Sequence, residues 1–124
     1  LRPLIDLSGI PPAVLEATSN TAAWLSERLD GYRSDQPSDF ATVIFHTIVW
    51  QYIENSERWA ITDAIELAAA RATPERPLAW ICMEPDPFNR SRAALIVREW
   101  PGGEARTVGY ADYHGRWVQP LLPE

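Results

Sequence analysis

Two short apolar runs constrain the fold of this chain more than any other feature. Residues 41–45 read ATVIF and residues 78–83 read LAWICM, and neither run contains a charged residue. Short continuous runs of this kind, rich in β-branched and aromatic residues, are typical of strands that are covered on both faces. We therefore predict two buried strands, Ala41 to Phe45 and Leu78 to Met83.

The segment between these runs has the pattern of a helix. Its apolar residues recur at helical spacing, at Ile61, Ile65, Ala68 and Ala72. Asn55 or Ser56 is suited to cap the start, Glu57 favours the first turn and Pro74 ends the pattern. A helix from about Glu57 to Ala72 would join two parallel strands in one βαβ unit.

The flanking segments extend this unit on both sides. Before it, we predict a helix from about Pro11 to Arg28 or Leu29 that Gly31 stops, then a polar loop at residues 33–39. Residues 4–7 suggest an edge strand or a docking arm. After it, Ala93 to Trp100 and Arg106 to Tyr113 predict an antiparallel hairpin around Pro101-Gly-Gly-Glu104.

Composition narrows the class of protein. The length of 124 residues fits one domain, and the net charge of −6 without a basic stripe argues against a nucleic-acid partner. No apolar run approaches the roughly 20 residues of a membrane span. Cys82 is the only cysteine, which excludes an internal disulfide and favours a reducing, cytoplasmic setting. Inside its apolar run, Cys82 is expected to be buried and a weak nucleophile.

The candidate chemistry lies where the two strands end. Because parallel strands bring their carboxyl ends to one edge of a sheet, His46 and Glu84 should lie on the same edge. His46 can act as a general base or orient a substrate, and Glu84 can share its proton or hold a polar ligand. The alternatives are a histidine fixed by a backbone carbonyl and a carboxylate that is only solvated, with Asp86 beside it.

Aromatic residues follow His46 closely. Trp50 and Tyr52 are candidates for the wall of a substrate pocket, although packing in the core is the better expectation for Trp50. We expect His114 at the opposite edge, with Trp117 covering the far end of the sheet. The sequence shows no metal-ligand spacing and no glycine-rich phosphate loop.

Four blocks of the chain resemble a bacterial family known as domain of unknown function 2332. They are VIFHTIVWQY at 43–52, PLAWICMEP at 77–85, REWPGGE at 98–104 and HGRWV at 114–118. The order of the elements also resembles the carboxyl-terminal half of class I methyltransferases that use S-adenosylmethionine. The resemblance implies a three-layer, Rossmann-like α/β half-domain spanning residues 1–124, which would be either a fragment of a longer chain or a remnant that has lost cofactor binding.

The methyltransferase resemblance also sets expectations for cofactor and partners. Such enzymes hold S-adenosylmethionine with a glycine-rich turn after the first strand and an acidic residue after the second, and this chain has no segment for either. We therefore expect no cofactor binding by this chain alone, and S-adenosylmethionine only in a longer parent chain. The expected partner is the missing amino-terminal half or a second copy. The alternative function is a non-catalytic assembly or ligand-binding module that dimerises through its sheet edge.

Overall fold

A computed structural model describes residues 21–35 and 41–121. The elements are α1 (Thr21–Asp35), β1 (Thr42–Thr47), a 3-10 turn (Trp50–Tyr52), α2 (Asn55–Ala69), β2 (Leu78–Asp86), β3 (Asn89–Trp100), β4 (Arg106–Ala111) and β5 (Val118–Pro120). Neither helix in this part of the chain is long and apolar enough to cross a membrane.

The strands form one mixed sheet in the order β1-β2-β3-β4-β5. β1 and β2 pair in parallel, and every later pair is antiparallel. The predicted α/β class, the adjacent parallel strands joined by a helix, and the antiparallel hairpin in the same sheet are therefore confirmed.

Both helices pack on one face of this sheet. The buried core is formed by Leu25 and Leu29 of α1, Ile61, Ile65, Ala68 and Ala69 of α2, and Leu78 of β2. On the other face, Val43 and Phe45 of β1 are 57 % and 63 % exposed. Successive side chains of a strand point to opposite faces of the sheet. Ile44 of β1 therefore packs against the helices, while Val43 and Phe45 on the other face are exposed. The expectation that β1 is covered on both faces is wrong for the described residues, which form two layers.

The first helix differs from its predicted end. α1 continues through Gly31 to Asp35, so Gly31 does not stop it and residues 33–35 are helical rather than loop. A glycine inside a helix costs only about 1 kcal/mol relative to alanine, which makes it a weak stop signal. The predicted beginning of this helix near Pro11, the segment 4–7 and the remainder of the loop lie outside the described residues.

The second helix confirms most of its predicted apolar stripe, but it ends at Ala69 instead of Ala72, and its predicted cap is not found. Ile61, Ile65 and Ala68 are buried, and the helix begins at Asn55 after Glu54, which makes no side-chain capping bond. Glu57 lies in the first turn, and its carboxylate accepts a hydrogen bond of 2.8 Å from the backbone N–H of Ala22. This contact fixes the start of α2 against α1.

The second strand runs farther than predicted and then reverses directly. β2 passes Glu84 and Pro85 to Asp86, with a register shift at that point, and β3 begins three residues later at Asn89. Proline is tolerated at such bulges because the ladder is already interrupted there. Since β3 runs back from this hairpin, the turn at residues 101–104 lies at the edge where β2 begins.

His114 consequently lies at the same edge as Glu84, and its predicted position at the opposite edge is wrong. β4 returns toward that edge, as the pairing of Ala93 with Ala111 shows, and His114 follows it. One additional chain reversal, at the β2–β3 hairpin, accounts for the error.

Candidate functional site

His46 and Glu84 meet at the carboxyl edge of the parallel strand pair. The imidazole Nδ1 lies 2.9 Å from the Glu84 Oε2 atom. The two side chains are 17 % and 12 % exposed, so the pair is mostly enclosed but reaches solvent. The predictions that both residues share one edge and that His46 is partly accessible are confirmed.

The other imidazole nitrogen is also engaged. Trp80 of β2 donates its indole N–H to His46 Nε2 at 3.0 Å. The alternative expectation was a histidine ring fixed by a backbone carbonyl. The ring is indeed fixed, but its partners are the Glu84 carboxylate and the Trp80 indole. The sequence does not predict the contact of Trp80 with His46, because a tryptophan within an apolar run is expected to be a core residue.

Glu84 also holds the turn that follows β1. Its carboxylate accepts the backbone N–H groups of Val49 at 3.3 Å and Trp50 at 3.2 Å. Within this turn Ile48 has a φ of 47°, a left-handed conformation that strains a β-branched residue. The backbone N–H of Ile48 donates to the Met83 carbonyl at 2.9 Å. The turn is thus tied to β2 at several points.

Aromatic rings enclose the imidazole. Trp50 stacks on His46 with ring centroids 5.3 Å apart and planes 19° apart, and Trp80 meets Trp50 edge-on at 5.8 Å. Trp50 is half-buried and also packs against the hydrophobic core. Tyr52 is 77 % exposed and is not among the rings stacked on His46. The structure therefore brings three predicted residues, His46, Glu84 and Trp50, together with Trp80; we call these four the His46 cluster.

Cys82 pairs with His46 in the strand register but is only partly buried. Burial, with a further contribution from the Glu84 charge, raises the pKa of its thiol to about 11. The thiol therefore stays protonated at neutral pH, which agrees with the expected weak nucleophile.

A second polar group lies two residues beyond Glu84. Asp86 is only 3 % exposed, and its carboxylate bonds Arg92 Nε at 2.9 Å and the backbone N–H of Phe88 at 3.0 Å. The Arg92 guanidinium stacks over the Tyr110 ring, 3.6 Å from its centroid. The Phe88 N–H, and then Arg92, hold the pKa of Asp86 below its usual range. These contacts close the β2–β3 hairpin.

The segment after β4 is held by Asp112 rather than by His114. The Asp112 carboxylate accepts the backbone N–H groups of His114 and Arg116 at 3.0 and 3.1 Å. The Arg116 and His114 N–H groups lower the pKa of Asp112. The His114 side chain is exposed, and Trp117 lies at the same edge as Glu84, so its predicted place at the far end of the sheet is wrong.

The opposite edge of the sheet carries a groove of about 540 Å³. Pro74, Pro77, Trp100 and Pro101 contribute to its lining, and Glu99 is the one titratable residue among the described residues that line it. Among residues 21–35 and 41–121, no three His, Cys, Asp or Glu side chains are grouped so that they could hold a metal ion.

A family model for an uncharacterized protein conserved in bacteria, DUF2332, matches residues 7–119. The chain belongs to this family. The DUF2332 match includes the whole His46 cluster and confirms the resemblance drawn from the four sequence blocks. Comparison with curated proteins and with solved structures found no significant match.

Proposed function

We propose that this DUF2332 chain is the carboxyl-terminal, substrate-side part of a Rossmann-like, methyltransferase-like domain whose polar site is the His46 cluster. The observation that carries the proposal is the contact between His46 and Glu84 at the carboxyl edge of two parallel strands. Ligands of open α/β sheets bind at this edge. The strained turn at Ile48 supports the proposal, because backbone strain concentrates at functional sites.

Each predicted site residue has a role in this proposal. His46 and Glu84 form the polar centre, in which His46 orients the Glu84 carboxylate toward the reacting group of a substrate. Trp50 forms one wall through its stack on His46. Tyr52, at the end of the same turn and exposed, is assigned to the rim, where it covers a bound molecule.

The residues present do not fit S-adenosylmethionine. No glycine occurs between Gly31 and Gly102, so neither parallel strand is followed by the glycine-rich turn that lets a backbone approach this cofactor. We therefore assign no step to the cofactor in this chain. In our proposal, a longer parent chain supplies the cofactor half of the cleft.

Calorimetry with S-adenosylmethionine tests this division. The 124-residue chain should give no binding heat, and a longer parent chain should bind. In the parent, Glu84→Gln should reduce transfer of a labelled methyl group into a small-molecule extract at least tenfold while cofactor affinity stays unchanged. Glu104→Gln, at an exposed carboxylate in the β3–β4 turn, is the control. Cofactor binding by the short chain, or full transfer by Glu84→Gln, would contradict the proposal.

The second candidate is a non-catalytic module that dimerises through β1 of two copies. β1 is the edge strand of the described sheet, and it contains neither a proline nor a lysine to blunt that edge. Its exposed Val43 and Phe45 favour this reading. Sedimentation at micromolar concentration should then show a dimer that Phe45→Lys dissociates, while Leu67→Lys on the exposed side of α2 does not. A monomeric wild-type chain would exclude this candidate.

A further inference from the structure

We infer that Trp80 is a positioning residue of the proposed site, because its indole N–H determines which nitrogen of His46 carries the proton. The two relevant distances are 3.0 Å from Trp80 Nε1 to His46 Nε2 and 2.9 Å from His46 Nδ1 to Glu84 Oε2. The role of Trp80 in binding rests on the proposed function. The proton position itself does not.

The donor and acceptor inventory leaves one protonation state that satisfies both contacts. An indole N–H only donates, so His46 Nε2 must present its lone pair to Trp80. The single proton of a neutral imidazole then lies on Nδ1 and is donated to the Glu84 carboxylate, which accepts. The other tautomer, and equally the protonated imidazolium, would direct two N–H groups at each other across the 3.0 Å contact.

The orientation of the ring supports the same assignment. Turning the imidazole by 180° about its attachment bond would place carbon atoms where both nitrogens now lie, and both hydrogen bonds would be lost. The Trp50 ring stacked at 5.3 Å holds the imidazole in this plane. Trp80, His46 and Glu84 therefore form a hydrogen-bonded chain with one direction, from the indole to the carboxylate.

This direction assigns different tasks to the two site residues. The Nε2 lone pair is occupied by Trp80, so His46 does not accept a proton from a ligand and serves to orient Glu84. An ionised carboxylate offers about four acceptor positions. The donors described at Glu84 are the His46 imidazole and the backbone N–H groups of Val49 and Trp50. The remaining acceptor capacity suits a ligand that donates a hydrogen bond, such as an amine, an amide or a hydroxyl group.

Long-range ¹H–¹⁵N NMR on the ligand-free, ¹⁵N-labelled 124-residue chain at neutral pH tests the proton position. The chain contains two histidines, and the exposed His114 serves as the internal reference. The expected spectrum shows His46 with a protonated Nδ1 and an unprotonated Nε2. A protonated Nε2 at His46 overturns the inference, and this result requires no variant.

Two variants then test the part played by Trp80. Trp80→Phe should raise the population of the Nε2-protonated tautomer of His46 at least fivefold, because the indole donor is gone. Trp59→Phe, at a tryptophan that is 74 % exposed on α2, should leave the ratio unchanged. An unchanged ratio in folded Trp80→Phe would overturn the inference. If that variant does not fold, the wild-type spectrum alone decides.

Two aromatic probes of opposite hydrogen-bonding character test the ligand class. Benzylamine should shift the indole signals of Trp50 and Trp80 in the wild-type chain, and Glu84→Gln should reduce its affinity at least tenfold. Benzoate, which only accepts hydrogen bonds when ionised, should cause no such shift. Equal shifts with benzoate would overturn the donor assignment. Since the proton position is read without a ligand, failure of the methyl-transfer experiment would not be confused with failure of this inference.

Discussion

Glu84 and Asp86 are two carboxylates on one strand, two residues apart and at one edge of the sheet, yet their surroundings differ. Asp86 is paired with the Arg92 guanidinium, and its side chain is 4 % exposed. Glu84 is bound by an imidazole and by two backbone N–H groups, none of which is a fixed cation, and is 12 % exposed. The charge of Asp86 is neutralised within the fold, whereas the charge of Glu84 is oriented but not neutralised by these contacts.

The neighbouring strands account for this difference. Glu84 faces β1 and the turn after it, which supply neutral donors. Asp86 lies at the register shift beside the hairpin, where Arg92 of β3 and the backbone of Phe88 reach it. The comparison teaches that a carboxylate that closes a hairpin and a carboxylate that we propose for a site can lie on one strand, and that their hydrogen-bond donors distinguish them.

The largest effect on stability is expected from Asp86→Ala. This change leaves the partly buried Arg92 without its carboxylate and removes the acceptor of the Phe88 N–H, and breaking a buried ion pair is strongly destabilising. The urea midpoint should fall at least twice as far as it does in Asp30→Ala, whose ion pair with Arg71 is exposed. Similar midpoints in the two variants would mean that Asp86 does not hold the hairpin.

Glu84→Gln should cost less, about 1–2 kcal/mol of unfolding free energy. The glutamine keeps the shape of the side chain, but its amide offers one acceptor oxygen to several N–H donors. Urea denaturation gives this value, with Glu104→Gln as the control at an exposed position. A loss as large as that in Asp86→Ala would break the comparison, because Glu84 would then be a structural carboxylate too.

His46→Ala would be a poorer test of the site than Glu84→Gln. It would leave the Trp80 N–H without its acceptor and remove one donor from Glu84, so binding and stability would change together.

Acidification should lower the unfolding free energy that Asp86 and Asp112 contribute. The pKa values of Asp86 and Asp112 are held low in the folded state, while an unfolded aspartate has a pKa of about 3.9. The folded state therefore prefers the ionised form, and this contribution is fully present above that unfolded value and is lost as the pH falls through the folded values. The unfolding free energy, from urea titrations on either side of about pH 4, should decline toward acid. Asp86→Asn should make that decline shallower, and an unchanged slope would contradict the assignment.

The smallest effect is expected from Phe88→Ala. Phe88 is 95 % exposed, and its backbone N–H, which bonds Asp86, survives the change. The unfolding free energy should stay within about 0.5 kcal/mol of the wild type in the same urea assay. A larger loss would show that the side chain, and not Asp86 alone, closes the hairpin.

The apolar patterns of the sequence predict much of the fold. The runs at residues 41–45 and 78–83 located the parallel strands, and the direction of parallel strands placed His46 and Glu84 together. The sequence did not indicate how far β2 extends, because Pro85 suggests an end to a strand whose bulge in fact accommodates it. The resulting hairpin reversal moved His114 to the edge opposite to the predicted one.

The site was less predictable because it depends on side-chain directions across strands. No sequence pattern around Trp80 distinguishes it from a tryptophan that only packs in the core. The strand register was needed, since it is the pairing of Ile44 with Trp80 that brings Trp80 diagonally next to His46. The sequence shows Asp86 only as a second carboxylate beside Glu84, and it does not indicate the partner of Asp86, because Arg92 follows the β2–β3 chain reversal.

The hydrogen bonds from the turn to Glu84 also bear on the order in which the chain folds. Val49 and Trp50 bond a carboxylate that lies 35 and 34 residues farther along the chain. The left-handed conformation of Ile48 therefore gains this support only after β2 has docked beside β1, and closing such a long loop carries an entropic cost. We expect the turn to form after the rate-limiting transition state, so that Glu84→Gln accelerates unfolding and leaves the refolding rate nearly unchanged in stopped-flow measurements.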